Sequence, residues 1–207
     1  MKILTTSLCL VSALCLTGPL LAAEANMTQQ EHDQVIQLLK DSRTEFVQAV
    51  TNLSDEQWKW KPAPNRWSVA EVSEHILLGD GMLFAKMQEA LASAPNPDWE
   101  KKTAGKTEFI LKVMAPRLGK AQAPEDIQPR GNLTRAEIMN RFAEVRSNTL
   151  QFAEQTQIAL KEHTSEHPFP VFGTLNAYQW LIYIPLHNMR HDKQIEEVKS
   201  TPGFPAK

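Results

Sequence analysis

LNAYQWLIYIPLHNMRHDKQIEEVK, residues 175–199, is the stretch that decides the fold. Wound at 3.6 residues per turn, it places Ala177, Trp180, Leu181, Ile184, His187, Asn188, His191, Ile195 and Val198 on one face. It is therefore a long amphipathic helix whose apolar stripe contains two histidines. Pro185 falls inside it and removes the hydrogen bond that its N–H would have made to Leu181. The helix is expected from near Thr174 to about Lys199, before TPGFP ends it.

Three upstream segments repeat the pattern, each opened by a capping box, in which a Ser or Thr and a Glu three residues later satisfy the first free N–H groups. Thr28 and Glu31 begin a helix running to about Thr51, with Val35, Leu39, Ser42, Phe46, Val50 and Leu53 in line. Ser68 and Glu71 begin a second, lasting until Pro95 and Pro97, with Val69, Val72, Ile76, Leu83 and Met87 on its apolar face. Thr134 and Glu137 begin a third that reads on towards KEH, with Ile138, Phe142, Val145, Thr149, Phe152 and Ala159 as its stripe. Four such helices without a convincing strand pattern predict an all-α four-helix bundle.

The connections are uneven. SDEQWKWKPAPNRW, broken by Pro62 and Pro64 and carrying three tryptophans, reads as a loop folded onto the body. Residues 95–133 hold five prolines around one short helical stretch, KTEFILKVMAPR, which makes a long excursion between the second and third helices, either a lid or a packed segment.

Residues 1–25 read as a secretory signal peptide: Lys2, an apolar run from Leu8 to Leu16, then Gly18–Pro19 and small residues. Cleavage after Ala25 fits the small-x-small rule, and after Ala23 nearly as well. The rest, 26–207, is expected to be a single exported domain, periplasmic or secreted. Cys9 and Cys15 both fall in the leader, so the mature chain has no thiol for disulfides, zinc or nucleophilic attack. Neither has the preceding small residue of a lipoprotein site. With 22 Lys and Arg against 24 Asp and Glu, intermixed, the chain has a net charge of −2 and no electrostatic footprint for nucleic acid or an anionic membrane.

Burying two imidazoles among aliphatic side chains costs free energy unless their nitrogens find partners. Spaced four apart on one helix, His187 and His191 converge as a pair of metal ligands would. His75 in the second helix, near the core edge and one turn before Gly79, offers a third ligand, Gly79 leaving room beside it. Asn188 stands where a zincin protease has glutamate, which excludes that mechanism. A rival pair, His163 and His167 in KEHTSEHPF, sits among polar residues beside Pro168 and reads as solvated, as does His32. Trp67 could wall a pocket, and Tyr183 and Asn188 are candidate supporting or substrate-facing groups. Glu71, Glu74 and Asp192 lie near the histidines in sequence, yet none is placed as a general base.

RWSVAEVSEHI, followed more than 100 residues later by the quoted stretch, resembles the DinB-like superfamily of YfiT-type four-helix bundles, which are related to thiol-dependent S-transferases and maleylpyruvate isomerases. The resemblance spans roughly residues 28–205 and rests on W-S-x-x-E-x-x-x-H and H-x-x-x-H with a following Gln-Ile. It implies that His75, His187 and His191 bind a divalent cation, zinc or nickel, and that bundles pair as homodimers; it implies no DNA binding. Three imidazoles with a free position suit catalysis, since structural zinc is normally closed by four protein ligands. The expected function is thus a metal-dependent enzyme acting on a small molecule, a hydrolase or a thiol S-transferase, the alternative being a non-enzymatic metal- or small-molecule-binding bundle. Export argues against thiol transfer, because the low-molecular-weight thiols that such relatives use are made inside the cell.

Overall fold

The computed structural model describes residues 24–117 and 122–206. The leader's apolar run and both cysteines lie outside the described residues. Seven α-helices form in chain order: α1 (Gln29–Val50), α2 (Asp55–Lys59), α3 (Val69–Ala92), α4 (Trp99–Thr103), α5 (Lys106–Met114), α6 (Arg135–Gln155) and α7 (Ala177–Lys199). A 3-10 turn spans Glu125–Ile127, and β1 (Thr164–Glu166) pairs antiparallel with β2 (Thr174–Asn176). No helix among the described residues is long and apolar enough to cross a membrane.

The expected capping boxes open α1, α3 and α6, each with both reciprocal hydrogen bonds. Two more, Ser54 with Gln57 and Asn176 with Gln179, open α2 and α7. The segment read as a plain tryptophan loop therefore contains a short helix, and α7 starts three residues later than expected because β2 takes Thr174–Asn176. The third helix ends at Gln155 rather than near KEH, since Thr156 turns extended and sends Leu160 into the core. α7 continues unbroken through Pro185, which is buried.

Helix α7 packs against α3 and α1, and α6 packs against the same two, so the long helices run α1–α7–α3–α6 around the bundle. The sequential pairs α1/α3 and α6/α7 therefore face each other across diagonals. The described parts of residues 95–133 form a packed excursion: α5 lies on α7, and Ile110, Met114 and Ile127 are buried.

The core divides into two apolar clusters. One gathers Leu39, Leu83, Met87, Ile110, Tyr178, Trp180 and their neighbours; the other gathers Phe46, Val72, Ile76, Phe142, Ile195 and Val198. Between them runs a buried polar layer with one member from each long helix: Ser42, Asp80, Arg146 and Asn188. The Arg146 guanidinium, fully enclosed, donates to Asp80 Oδ2 through Nη2 at 2.5 Å and Nε at 3.2 Å, to Asn188 Oδ1 at 2.9 Å, to the Leu39 carbonyl at 3.1 Å, and to Ser42 Oγ. Asn188 in turn donates to Asp192 at 3.0 Å. One cation thus faces two carboxyl groups. Burial raises Asp80 against the pull of Arg146, and pushes Asp192 up to about 8, with Glu45 adding to the effect.

Candidate metal centre

α7 presents His187 and His191 one turn apart, and α3, its neighbour in the bundle, presents His75. All three are buried, and a ligand-capable nitrogen of each lies within 4.8 Å of the others. The Nε2 atoms of His75 and His191 are 3.1 Å apart.

Hydrogen bonds on the far sides of the rings fix the tautomers. His75 Nδ1 is 2.8 Å from the Ile127 carbonyl oxygen, which can only accept, so Nδ1 carries the proton and Nε2 keeps a lone pair. Arg117, with no acceptor, donates to Gln194 Oε1 at 3.0 Å; His191 Nδ1, 2.8 Å from the same oxygen, must also donate. Its Nε2 is likewise unprotonated. The loop carrying Ile127 is itself held by the buried Glu74, which accepts from the backbone N–H groups of Arg130 and Gly131 at 3.1 and 2.8 Å.

Two lone pairs facing at 3.1 Å repel unless a cation joins them. A proton would be taken up against the environment, because burial lowers all three imidazoles, neighbouring histidines adding to the effect at His187 and His191 and the Arg117 guanidinium at His75. A divalent metal ion meets the same burial and the same arginines, but bonds to three imidazole nitrogens offset them. Ligands on a tetrahedral zinc with bonds of about 2.0–2.1 Å stand roughly 3.3 Å apart, close to the separation here. Metal-ligating histidines usually donate their other N–H to a carbonyl or carboxylate, as two of these do to carbonyl oxygens. His187 Nδ1 is buried with no hydrogen-bond partner among the described residues, a cost of about 1–3 kcal/mol for a polar atom left unsatisfied. The residues fit a metal ion, and the three histidines form a possible metal site.

Gly79 makes room for His187, not for His75. A Cβ at position 79 would lie 2.9 Å from His187 Nδ1 and closer still to Cε1. Gly79→Ala should raise helix propensity by about 1 kcal/mol yet displace the imidazole. Metal affinity is expected to fall at least tenfold with helical content unchanged, measured by competition with a zinc chelator alongside circular dichroism; unaltered affinity would refute this role for the glycine.

The three histidines line a cavity of about 700 Å³ bounded by α7, α5, the 122–128 segment and the loop 167–172. Trp67 and Tyr183 line it too, the Trp67 ring 4.9 Å from that of His75. Asn188 does not reach it and belongs to the polar layer beneath. His167, read from sequence as solvated, is buried in the cavity wall, because the β1–β2 hairpin folds its tip over α7 and stacks the ring on Trp180, centroids 5.0 Å apart and planes 10° from parallel. His163 remains apart from the site, its Nδ1 2.8 Å from the Ser93 carbonyl. Sequence reasoning missed His167, Arg117 and Arg190; the apolar run around His167, PFPVF, was the available signal.

Burial, reinforced by Lys106 and Lys86, lowers His167 from its ordinary value to about 4. The unfolded chain binds a proton here below about pH 6.5 while the folded one does not, so this contribution to stability is complete above pH 6.5 and is lost as pH falls towards 4. Between pH 7 and 5, metal-free protein should lose roughly 1–2 kcal/mol more stability than metal-free His167→Gln, as read from urea unfolding. Equal losses would contradict the shift.

Comparison with known proteins agrees with this geometry. Residues 38–195 match the DinB superfamily. The chain belongs to the DinB superfamily. It is 30% identical over 164 residues to the uncharacterized protein YuaE of Bacillus subtilis (strain 168), covering 78% of this chain and 95% of that one. Its fold is similar to that of YfiT from Bacillus subtilis, described as a probable metal-dependent hydrolase with an unusual four-helix bundle topology; the TM-score is 0.51 at 15% identity, covering 86% of this chain and 91% of YfiT. At that identity the likeness concerns the fold.

Proposed function

We propose that this DinB superfamily protein is an exported, divalent-metal-dependent hydrolase of a small molecule, with zinc or nickel held by His75, His187 and His191. The observation that carries the reading is that the three histidines line a cavity of substrate size, whereas a structural site would be sealed by a fourth ligand. The description of the structural neighbour YfiT as a probable metal-dependent hydrolase supports the same class. Export rests on the leader-like residues 1–25.

When bound, the cation supplies Lewis acidity, polarising a substrate carbonyl or phosphoryl oxygen and making a water acidic enough to react near neutral pH. The chain's own residues set that chemistry up. Ile127 and Gln194 hold two imidazoles with their lone pairs facing one point, and Gly79 lets the third approach. Among the described lining residues Glu197 is the single carboxylate, and it accepts from Arg117 Nε at 2.9 Å. Thiol transfer would use the same open position, but an exported protein is parted from cytosolic thiol pools.

Protein purified without a metal-binding tag, in metal-free, zinc and nickel forms, should be screened against chromogenic esters, amides and phosphate esters. Turnover is expected only in a loaded form, abolished by chelation and restored by metal. A loaded protein that turns over none of these classes yet binds small molecules would set the hydrolase reading aside in favour of a binding module.

A further inference from the structure

The cavity's charge runs against that of the chain. Its described lining residues include three cations, Arg66, Arg117 and Arg190, and one acid, Glu197, which pairs with Arg117 and also acts on Arg190. The whole chain carries −2, so cations are gathered here. Arg117 is also kept at a backbone cost. It follows the end of α5 in the left-handed region, φ 53°, where a helix terminus ordinarily uses glycine because a side chain there is strained. Its side chain is only 14% exposed and hydrogen-bonds Gln194, which holds His191. The cationic wall therefore adjoins the histidine cluster.

Another part of the lining is aromatic, Phe109, Phe172, Trp180 and Tyr183 being joined by ring contacts. The polar group within it is also a donor. His167 Nδ1 accepts the Phe169 N–H at 2.9 Å, so the proton of the neutral ring is on Nε2, which makes no hydrogen bond among the described residues. Burial raises the Tyr183 hydroxyl, which stays protonated. A ligand that suits these walls offers acceptors and negative charge at one end and a flat apolar body at the other.

We infer that the cavity takes an anionic aromatic small molecule, its ring against Phe109 and Phe172 and its acidic group at Arg190 and Arg117, beside the three histidines. The fate of the bound molecule rests on the hydrolase reading; its binding does not. The test is calorimetric titration of the full protein, metal-free and zinc-loaded, at low ionic strength with four probes: phenylacetate, its neutral isostere phenylacetamide, phenethylammonium, and acetate, which lacks the ring.

In the metal-free protein phenylacetate should bind at least tenfold tighter than phenylacetamide or acetate, with no detectable binding of phenethylammonium. Arg190→Gln should abolish the preference for the acid over the amide, and Arg190→Lys should keep most of it. Equal binding of acid and amide overturns the anionic half of the inference, and equal binding of acetate and phenylacetate overturns the aromatic half. A preference that needs zinc and survives Arg190→Gln places the anion on the metal and overturns the role of the arginines while leaving the metal site standing. A protein that binds no zinc yet prefers phenylacetate would leave this inference standing and remove the hydrolase reading.

Discussion

His187→Ala is expected to leave a folded bundle that no longer retains stoichiometric metal. The imidazole is one of three possible ligands and is tightly seated, pressed against Gly79 with Nδ1 unpartnered among the described residues. Its removal leaves two ligands from adjacent helices, and affinity should fall at least ~100-fold, beyond the 10–100-fold that loss of an outer partner typically costs. Gln194→Ala, which frees the His191 ring without removing it, should fall within that smaller range. The stability of the metal-free form should change little by comparison, because the variant discards a buried polar atom that was unsatisfied. Metal content by mass spectrometry and the zinc-induced rise in Tm measure both effects. A His187→Ala protein that keeps one equivalent of zinc would dismiss the three-histidine assignment.

The second large effect lies beneath the site. Arg146→Met strands Asp80 and takes donors from Ser42, the Leu39 carbonyl and Asn188 in one step. Breaking a buried ion pair from one side typically costs about 3–5 kcal/mol, a large share of the roughly 5–15 kcal/mol available to a domain. Pairing it with Asp80→Leu removes the stranded carboxyl and should recover much of the loss, since apolar replacement of both partners is often neutral. Urea midpoints at constant m-value provide the comparison. If Arg146→Met alone cost less than about 1 kcal/mol, the layer would not be holding the bundle together. Because Asn188 adjoins His187 on α7, the same variant should also weaken metal binding.

What the sequence revealed and what it hid have physical causes. Capping boxes and apolar stripes are local, so the starts of α1, α3 and α6 were legible, as were the three histidines on inward faces. The box at Ser54–Gln57 was equally local and was obscured by the prolines beyond it. Asp80 and Arg146 escaped because a stripe is traced through apolar residues: Val145 was read as the inward residue, while its neighbour Arg146 is the one with no exposure. A charge is recognisable as core only once its partners on other helices are known. His167 escaped for the same reason, its burial coming from Trp180 and Phe172 rather than from the residues beside it.

The diagonal arrangement of the long helices bears on how the protein acquires its shape. Neither α1 with α3 nor α6 with α7 forms an adjacent pair, so an N-terminal half emerging alone has no neighbour for its apolar faces. Nearly all long-helix packing joins residues far apart in sequence, which slows folding and favours an all-or-none transition. α7, the last of the described helices to be made, lies against both α1 and α3 and brings two of the three histidines. A nascent chain would therefore stay open until α7 is complete, and the three histidines would come together in the same event that closes the bundle.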